Sequence, residues 1–273
     1  MTGETVNPNP IPYMGEVTID PQHIDRNRHV NNAAYQNIYQ HQRELFLESK
    51  NLVISLGADF PIRFSGIYLR QAYEKDVVEI VTSANIYDKG SSFSQSMHRK
   101  DLVQNEEKMV ALGNFNYHSG NIKINRAENE PPPLYIFLNN RFAEPRAVRG
   151  DGNPNMSYYF EEWERERTAC LEALGFTAGD VENKQGLIFV MARYYGYVRQ
   201  MLLPNQYFDL ETSVEVLSRS EPSRMLFRQK MMNEGQRIAS FECGVYTASL
   251  ETDKAVNIPE MIVDAINNRN SQA

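Results

Sequence analysis

The chain has 273 residues, enough for two domains of about 100–150 residues or one large one. Hydrophobic residues make up 41% and charged residues 23%, the balance of an ordinary soluble globular protein. A formal net charge of −7 argues against broad nucleic-acid binding, and no apolar run approaches the ~20 residues of a membrane span.

Residues 1–13 are polar and carry Pro8, Pro10 and Pro12, so they read as a loose arm. They lack the basic and apolar regions of a signal peptide, and a cytoplasmic location is the expectation. Met14 to Asp20 alternates as a first strand would. Next comes a stretch dense in polar chemistry, His23-Ile24-Asp25-Arg26-Asn27-Arg28-His29-Val30-Asn31-Asn32. Asp and Asn are cap and turn formers, and Ala34, Tyr35, Ile38, Tyr39, Leu45 and Phe46 then mark one face of a helix about 14 residues long. The polar groups therefore stand at the donor-rich N-terminus of a largely buried helix, a place suited to an anion or a polarised carbonyl. Strands are expected at roughly 62–72, 76–87, 92–100 and 108–118.

Residues 119–148 break the pattern with Pro131-Pro132-Pro133, Asn139-Asn140 and Pro145. The expected organisation is a unit at 14–122, a linker at 123–148 and a second unit at 149–264. In the second unit Tyr159, Trp163, Cys170 and Leu174 fall on one helical stripe that Gly175 ends. Strands follow at about 187–200, 207–218, 224–232 and 237–248.

The second unit replays the first. Tyr68-Leu69-Arg70-Gln71 matches Tyr197-Val198-Arg199-Gln200, and Tyr117 matches Tyr246, both at an offset of 129 (197 − 68, 246 − 117). Tyr35 matches Tyr159 and Arg43 matches Arg167 at 124, the difference falling in the loop after the helix. One helix followed by four strands, present twice, is a duplicated α+β unit with the helix laid on an antiparallel sheet.

Several chemistries are disfavoured. The two cysteines, Cys170 and Cys243, have no neighbour at metal-ligand spacing and read as reduced, buried thiols. The five histidines form no zinc signature, and neither a nucleophile elbow nor a phosphate loop is present.

The spacing Asp25-x-x-x-His29-Val30-Asn31-Asn32-x-x-Tyr35, with Arg43 eight residues on, resembles the hotdog-fold thioesterases, in particular the branch of 4-hydroxybenzoyl-CoA thioesterase and its acyl-CoA and acyl-ACP relatives. The Ile258-Pro259-Glu260 run before a short terminal helix is similar too. The resemblance implies a tandem double hotdog whose halves pair within one chain, with the site at their seam.

It also implies site residues. Asp25 is the expected base or nucleophile on a thioester carbonyl, against the alternative that it only caps a turn. The backbone N–H near Asn32 would polarise the carbonyl. Asn31 and Asn32 either orient water and Asp25 or satisfy local backbone groups. His29 either contacts substrate or is a structural hydrogen bonder. Tyr35 lies on the apolar stripe, where it serves the core, and is carried as a substrate-binding candidate with Glu164 and Arg149.

Gln40 stands where many relatives carry Glu, and Glu164 occupies its place in the second half (164 − 40 = 124). Asp25 maps onto Arg149 and His29 onto Asn153, so the second copy has lost its acid. Arg149 could instead hold a phosphate of CoA or phosphopantetheine. The expected function is hydrolysis of an acyl-CoA or acyl-carrier-protein thioester without metal or organic cofactor, the CoA or phosphopantetheine arm belonging to the substrate. The alternatives are a dehydratase, acyltransferase or decarboxylase on the same fold, or a non-catalytic acyl-thioester binder. Further homo-oligomerisation is left open.

Overall fold

A computed structural model describes residues 12–24, 30–52, 61–87, 90–101, 106–118, 136–150, 152–217, 223–252 and 254–272. The first half contributes β1 (Tyr13–Thr18), α1 (Asn32–Ser49), β2 (Ile62–Tyr68), β3 (Val77–Tyr87), β4 (Gly90–Asp101) and β5 (Glu106–His118). The second contributes β6 (Ile136–Phe142), α2 (Met156–Ala173), α3 (Ala178–Gln185), β7 (Leu187–Val198), β8 (Tyr207–Leu217), β9 (Arg224–Asn233) and β10 (Gln236–Ser249). The short β11 (Ala255–Val256) and α4 (Glu260–Asn270) close the chain.

One 11-stranded sheet carries the order β1-β3-β4-β5-β2-β7-β10-β9-β8-β6, with β11 beside β10. Read outward from the β2–β7 contact, the two arms are the same: β2, β5, β4, β3, β1 on one side and β7, β10, β9, β8, β6 on the other. That is the duplicated unit of the sequence, joined edge to edge by antiparallel pairing of Ile62–Ile67 with Arg193–Val198. α1 and α2 lie against each other, α1 also touching β1 and β3 and α2 touching β8.

The duplication extends to single hydrogen bonds. In the first half Arg43 Nη1 donates to Gln95 Oε1 at 2.6 Å, and Gln95 Nε2 donates to the Tyr39 carbonyl and Thr82 Oγ1. In the second, Arg167 Nη1 donates to Gln229 Oε1 at 3.1 Å, and Gln229 Nε2 to the Trp163 carbonyl and Thr212 Oγ1. Each glutamine thus ties its helix to two strands through buried groups that would be costly to leave unpaired.

Packing across the seam rests on paired glycines. Gly66 on β2 faces Tyr194 on β7, and Phe64 faces Gly196. A β-carbon at Gly66 would overlap the Tyr194 ring and hydroxyl, and one at Gly196 would overlap Phe64. Each missing side chain admits an aromatic ring from the other half. Phe64 thereby joins Phe160, Trp163 and Phe241, the last two stacked at 4.6 Å between centroids. These rings are at most 2% exposed, and each contributes roughly 1.5–3 kcal/mol of burial.

Two elements depart from expectation. Residues 136–142, within the stretch read as a linker, form β6, which pairs with β8 over Ile136–Phe142 and Tyr207–Ser213. Its outward side chains include Ile136, Leu138 and Phe142, whereas its inward Asn139 and Arg141 bond Glu166 on α2. The alternation is inverted, so it does not read as a half-buried strand. The other is α3, a helix of 8 residues with Thr177 as N-cap and Gly186 in the left-handed region (φ 62°). Gly175, φ 93°, ends α2 as expected. No described helix is long and apolar enough to cross a membrane.

Candidate functional site

Asn31 caps α1: its Oδ1 accepts the Ala34 amide at 2.6 Å while its own N–H donates to the His23 carbonyl. The Val30 amide donates to Ala72, and Val30 bridges Ile24. These bonds pin the start of α1 and leave the Asn32 and Ala33 amides without partners among the described residues. The open amides carry the positive end of an 18-residue helix.

Beside them lies a cavity of about 270 Å³. Val30, Asn31, Asn32, Tyr35 and Tyr68 form its first-half wall, and Phe189, Val190, Met191 and Tyr246 its second-half wall. The crevice therefore sits at the join of the two repeats, as the resemblance implies. The Tyr35 and Tyr68 rings meet at 4.8 Å, and Gln36 Nε2 donates to Tyr68 and Tyr194 hydroxyls behind them. Burial pushes the Tyr35 and Tyr68 phenols well above their ordinary pKa, so both stay neutral and serve as donors rather than bases. Arg70, exposed, and Arg99, paired with Asp76 at 3.2 Å, line the same cavity.

Of the residues singled out in the sequence, Asn31, Asn32 and Tyr35 line this cavity together. Asp25 and His29 lie outside the described residues. Their flanks do not: Ile24 and Val30 pair with each other, and Val30 lines the cavity. Glu164 sits half-buried on α2 and belongs to none of the described cavity walls.

Arg149 lies elsewhere, in a second cavity of about 260 Å³ at the pseudo-symmetric position. Asn153, Pro154 and Met156 take the places of His29, Val30 and Asn32 there, and Ile62 and Tyr117 those of Met191 and Tyr246. Arg149 Nη2 pairs with Glu44 Oε1 at 2.7 Å. With its amide oxygen turned toward the guanidinium, Gln40 accepts from Arg149 Nη1 at 2.7 Å and Nε at 2.9 Å. The two departures from the motif, Gln40 for an acid and Arg149 for Asp, are thus partners. This guanidinium lies apart from the first cavity, beside Glu44 and Gln40.

Sequence reasoning missed Arg70, Gln71 and Arg99 as cavity residues. A signal for the first two was present, since Tyr68-Leu69-Arg70-Gln71 is one of the segments that both halves retain. Arg99 carried none, because its approach depends on the β3–β4 register.

Residues 151–266 match the family model described as the thioesterase-like superfamily. Among curated proteins none matches the chain. Solved structures do. A Lactobacillus plantarum protein assigned as an oleoyl thioesterase aligns with TM-score 0.66 at 8% identity, over 87% of this chain and 97% of its own. The 12:0-ACP thioesterase of Umbellularia californica gives 0.58 at 11% identity, over 86% and 94%. An acyl-ACP thioesterase of Bacteroides thetaiotaomicron gives 0.56 at 11%, over 86% and 97%. At such identities the likeness concerns the fold.

Proposed function

We propose that the chain, a tandem double hotdog whose residues 151–266 match the thioesterase-like superfamily model, hydrolyses an acyl thioester of CoA or acyl carrier protein at the first cavity. The observation that carries this reading is the capped N-terminus of α1, whose first residue Asn32 lines a crevice walled by both halves. A thioester carbonyl beside the Asn32 and Ala33 amides has an oxyanion site ready before reaction. One such donor is worth about 10²–10³ in rate.

Asp25 supplies the carboxylate. As a base it takes a proton from water while the water oxygen attacks the carbonyl carbon. The tetrahedral intermediate then collapses, the C–S bond breaks and the thiolate leaves to be protonated. As a nucleophile it forms a mixed anhydride that water cleaves in a second step. Supporting its role, Arg149 of the second copy lines that copy's cavity at the equivalent sequence position. Arg70, exposed at the cavity, has the fork geometry that suits a phosphate of the CoA or phosphopantetheine arm. The fold relatives named as acyl-ACP thioesterases favour a carrier-borne substrate as much as a CoA one.

The test is Asp25→Asn in the full chain, assayed for free thiol on a panel of acyl-CoA and acyl-carrier substrates with products identified by mass spectrometry. Loss of at least about 10² in rate with an unchanged melting profile is expected. Wild-type turnover in that variant, or an intact thioester modified elsewhere, would overturn the reading.

A further inference from the structure

Arg43 is 3% exposed and its charge is permanent. Its guanidinium stacks on Phe115 at 3.8 Å from the ring centroid, and Nη1 is satisfied by Gln95. Nη2 is buried with no hydrogen-bond partner, and no carboxylate of the described residues pairs with Arg43. Arg167, its repeat partner, leaves no such buried orphan. A buried cation without a counter-charge is costly, which makes this position informative.

Arg43 forms part of the wall of the second cavity. Around it are Leu47, Leu52, Ile62, Phe93, Tyr117 and Met156. The other charges are already accounted for: Glu44 neutralises Arg149, and Glu48 is exposed. One buried positive charge is left over beside the apolar part of the chamber, whose wall also carries Gln40, Glu44, Glu48, Arg149 and Asn153. We propose that this second cavity is a binding site for an apolar monocarboxylate, whose carboxylate lies on the Arg43 side of the chamber, where it offsets the guanidinium charge, and whose body lies against the apolar wall.

A carboxylate matches the guanidinium in charge and in planar geometry. A multiply charged phosphate would meet Glu44 and is disfavoured. The volume of about 260 Å³, below the ~300–1,000 Å³ of drug-sized sites, suits a medium-chain or monocyclic acid. The inference does not require turnover at the first cavity. If the first cavity does release an acid, the second is placed to sense it.

Isothermal titration of the full chain with octanoate, and with octanamide as an uncharged counterpart, tests this. Leu47→Trp fills the chamber from a half-buried position outside the proposed reaction site, and Arg43→Gln removes the charge. Octanoate should saturate the wild type and bind at least about tenfold more tightly than octanamide. Leu47→Trp should abolish octanoate binding while thiol-release activity persists, and Arg43→Gln should erase the preference for the acid. Equal binding of the two ligands, no octanoate binding, or undiminished octanoate binding in Leu47→Trp would each overturn the proposal. Should Arg43→Gln fail to fold, the octanamide and Leu47→Trp measurements still decide.

Discussion

The asparagine that precedes each long helix occupies one position of the repeat but acts through different atoms. Asn31 Oδ1 accepts the Ala34 amide, whereas Asn155 makes no side-chain cap and donates Nδ2 to the Arg146 carbonyl at 3.0 Å. Asn31→Ala should therefore cost about 1 kcal/mol in chemical denaturation, and Asn155→Ala less, because its bond is exposed. Equal losses would mean that the cap adds nothing beyond local turn structure. A neighbouring repeat position shows the same divergence. Gly15 leaves room for the buried Gln42, while its counterpart Asn139 donates to Glu166 at 3.2 Å, where Arg141 also lands. Desolvation raises the pKa of Glu166 despite these donors. The second half thus carries charge where the first carries an amide.

At the scale of elements, the seam strands β2 and β7 are the sensitive ones. Gly66→Ala would drive a methyl into Tyr194, a ring 3% exposed whose hydroxyl holds Gln36 Nε2 at 3.0 Å. Overpacking of this kind costs about 1–3 kcal/mol, measured as a fall in melting temperature. Combining it with Tyr194→Val should recover part of that loss, whereas additive losses would show that the ring is not what the glycine accommodates. The eight central strands were legible in the sequence within a few residues, because alternation on a one-sided sheet is a direct consequence of burial. β6 was not, since its Ile136, Leu138 and Phe142 face outward while the inward Asn139 and Arg141 donate to Glu166 Oε2. Asn31, Asn32 and Tyr35 could be placed together at the start of α1 because a cap followed by an apolar stripe fixes the helix start. Their meeting with Phe189 and Tyr246 depends on the β2–β7 register, which no local pattern encodes.

For the whole molecule, the palindromic strand order makes the second half complete only in the presence of the first. β7 has hydrogen-bond partners on both edges, β10 on one side and β2 on the other. Cutting the chain before β6 would strip β2 from β7 and expose a row of backbone donors and acceptors. It would also remove Phe64 from Phe160, Trp163 and Phe241, exposing faces whose burial is worth roughly 1.5–3 kcal/mol per ring. Residues 136–273 produced alone are thus expected to self-associate through the freed β7 edge, because a second copy offers the same antiparallel strand that β2 supplies. Light scattering after size exclusion should give a dimer or larger species, and adding the separately produced first half should compete for that edge. A monomeric fragment melting as cooperatively as the full chain would mean that each repeat carries a self-sufficient core. The first cavity would then need the second half only as a wall, and not for the stability of the fold around it.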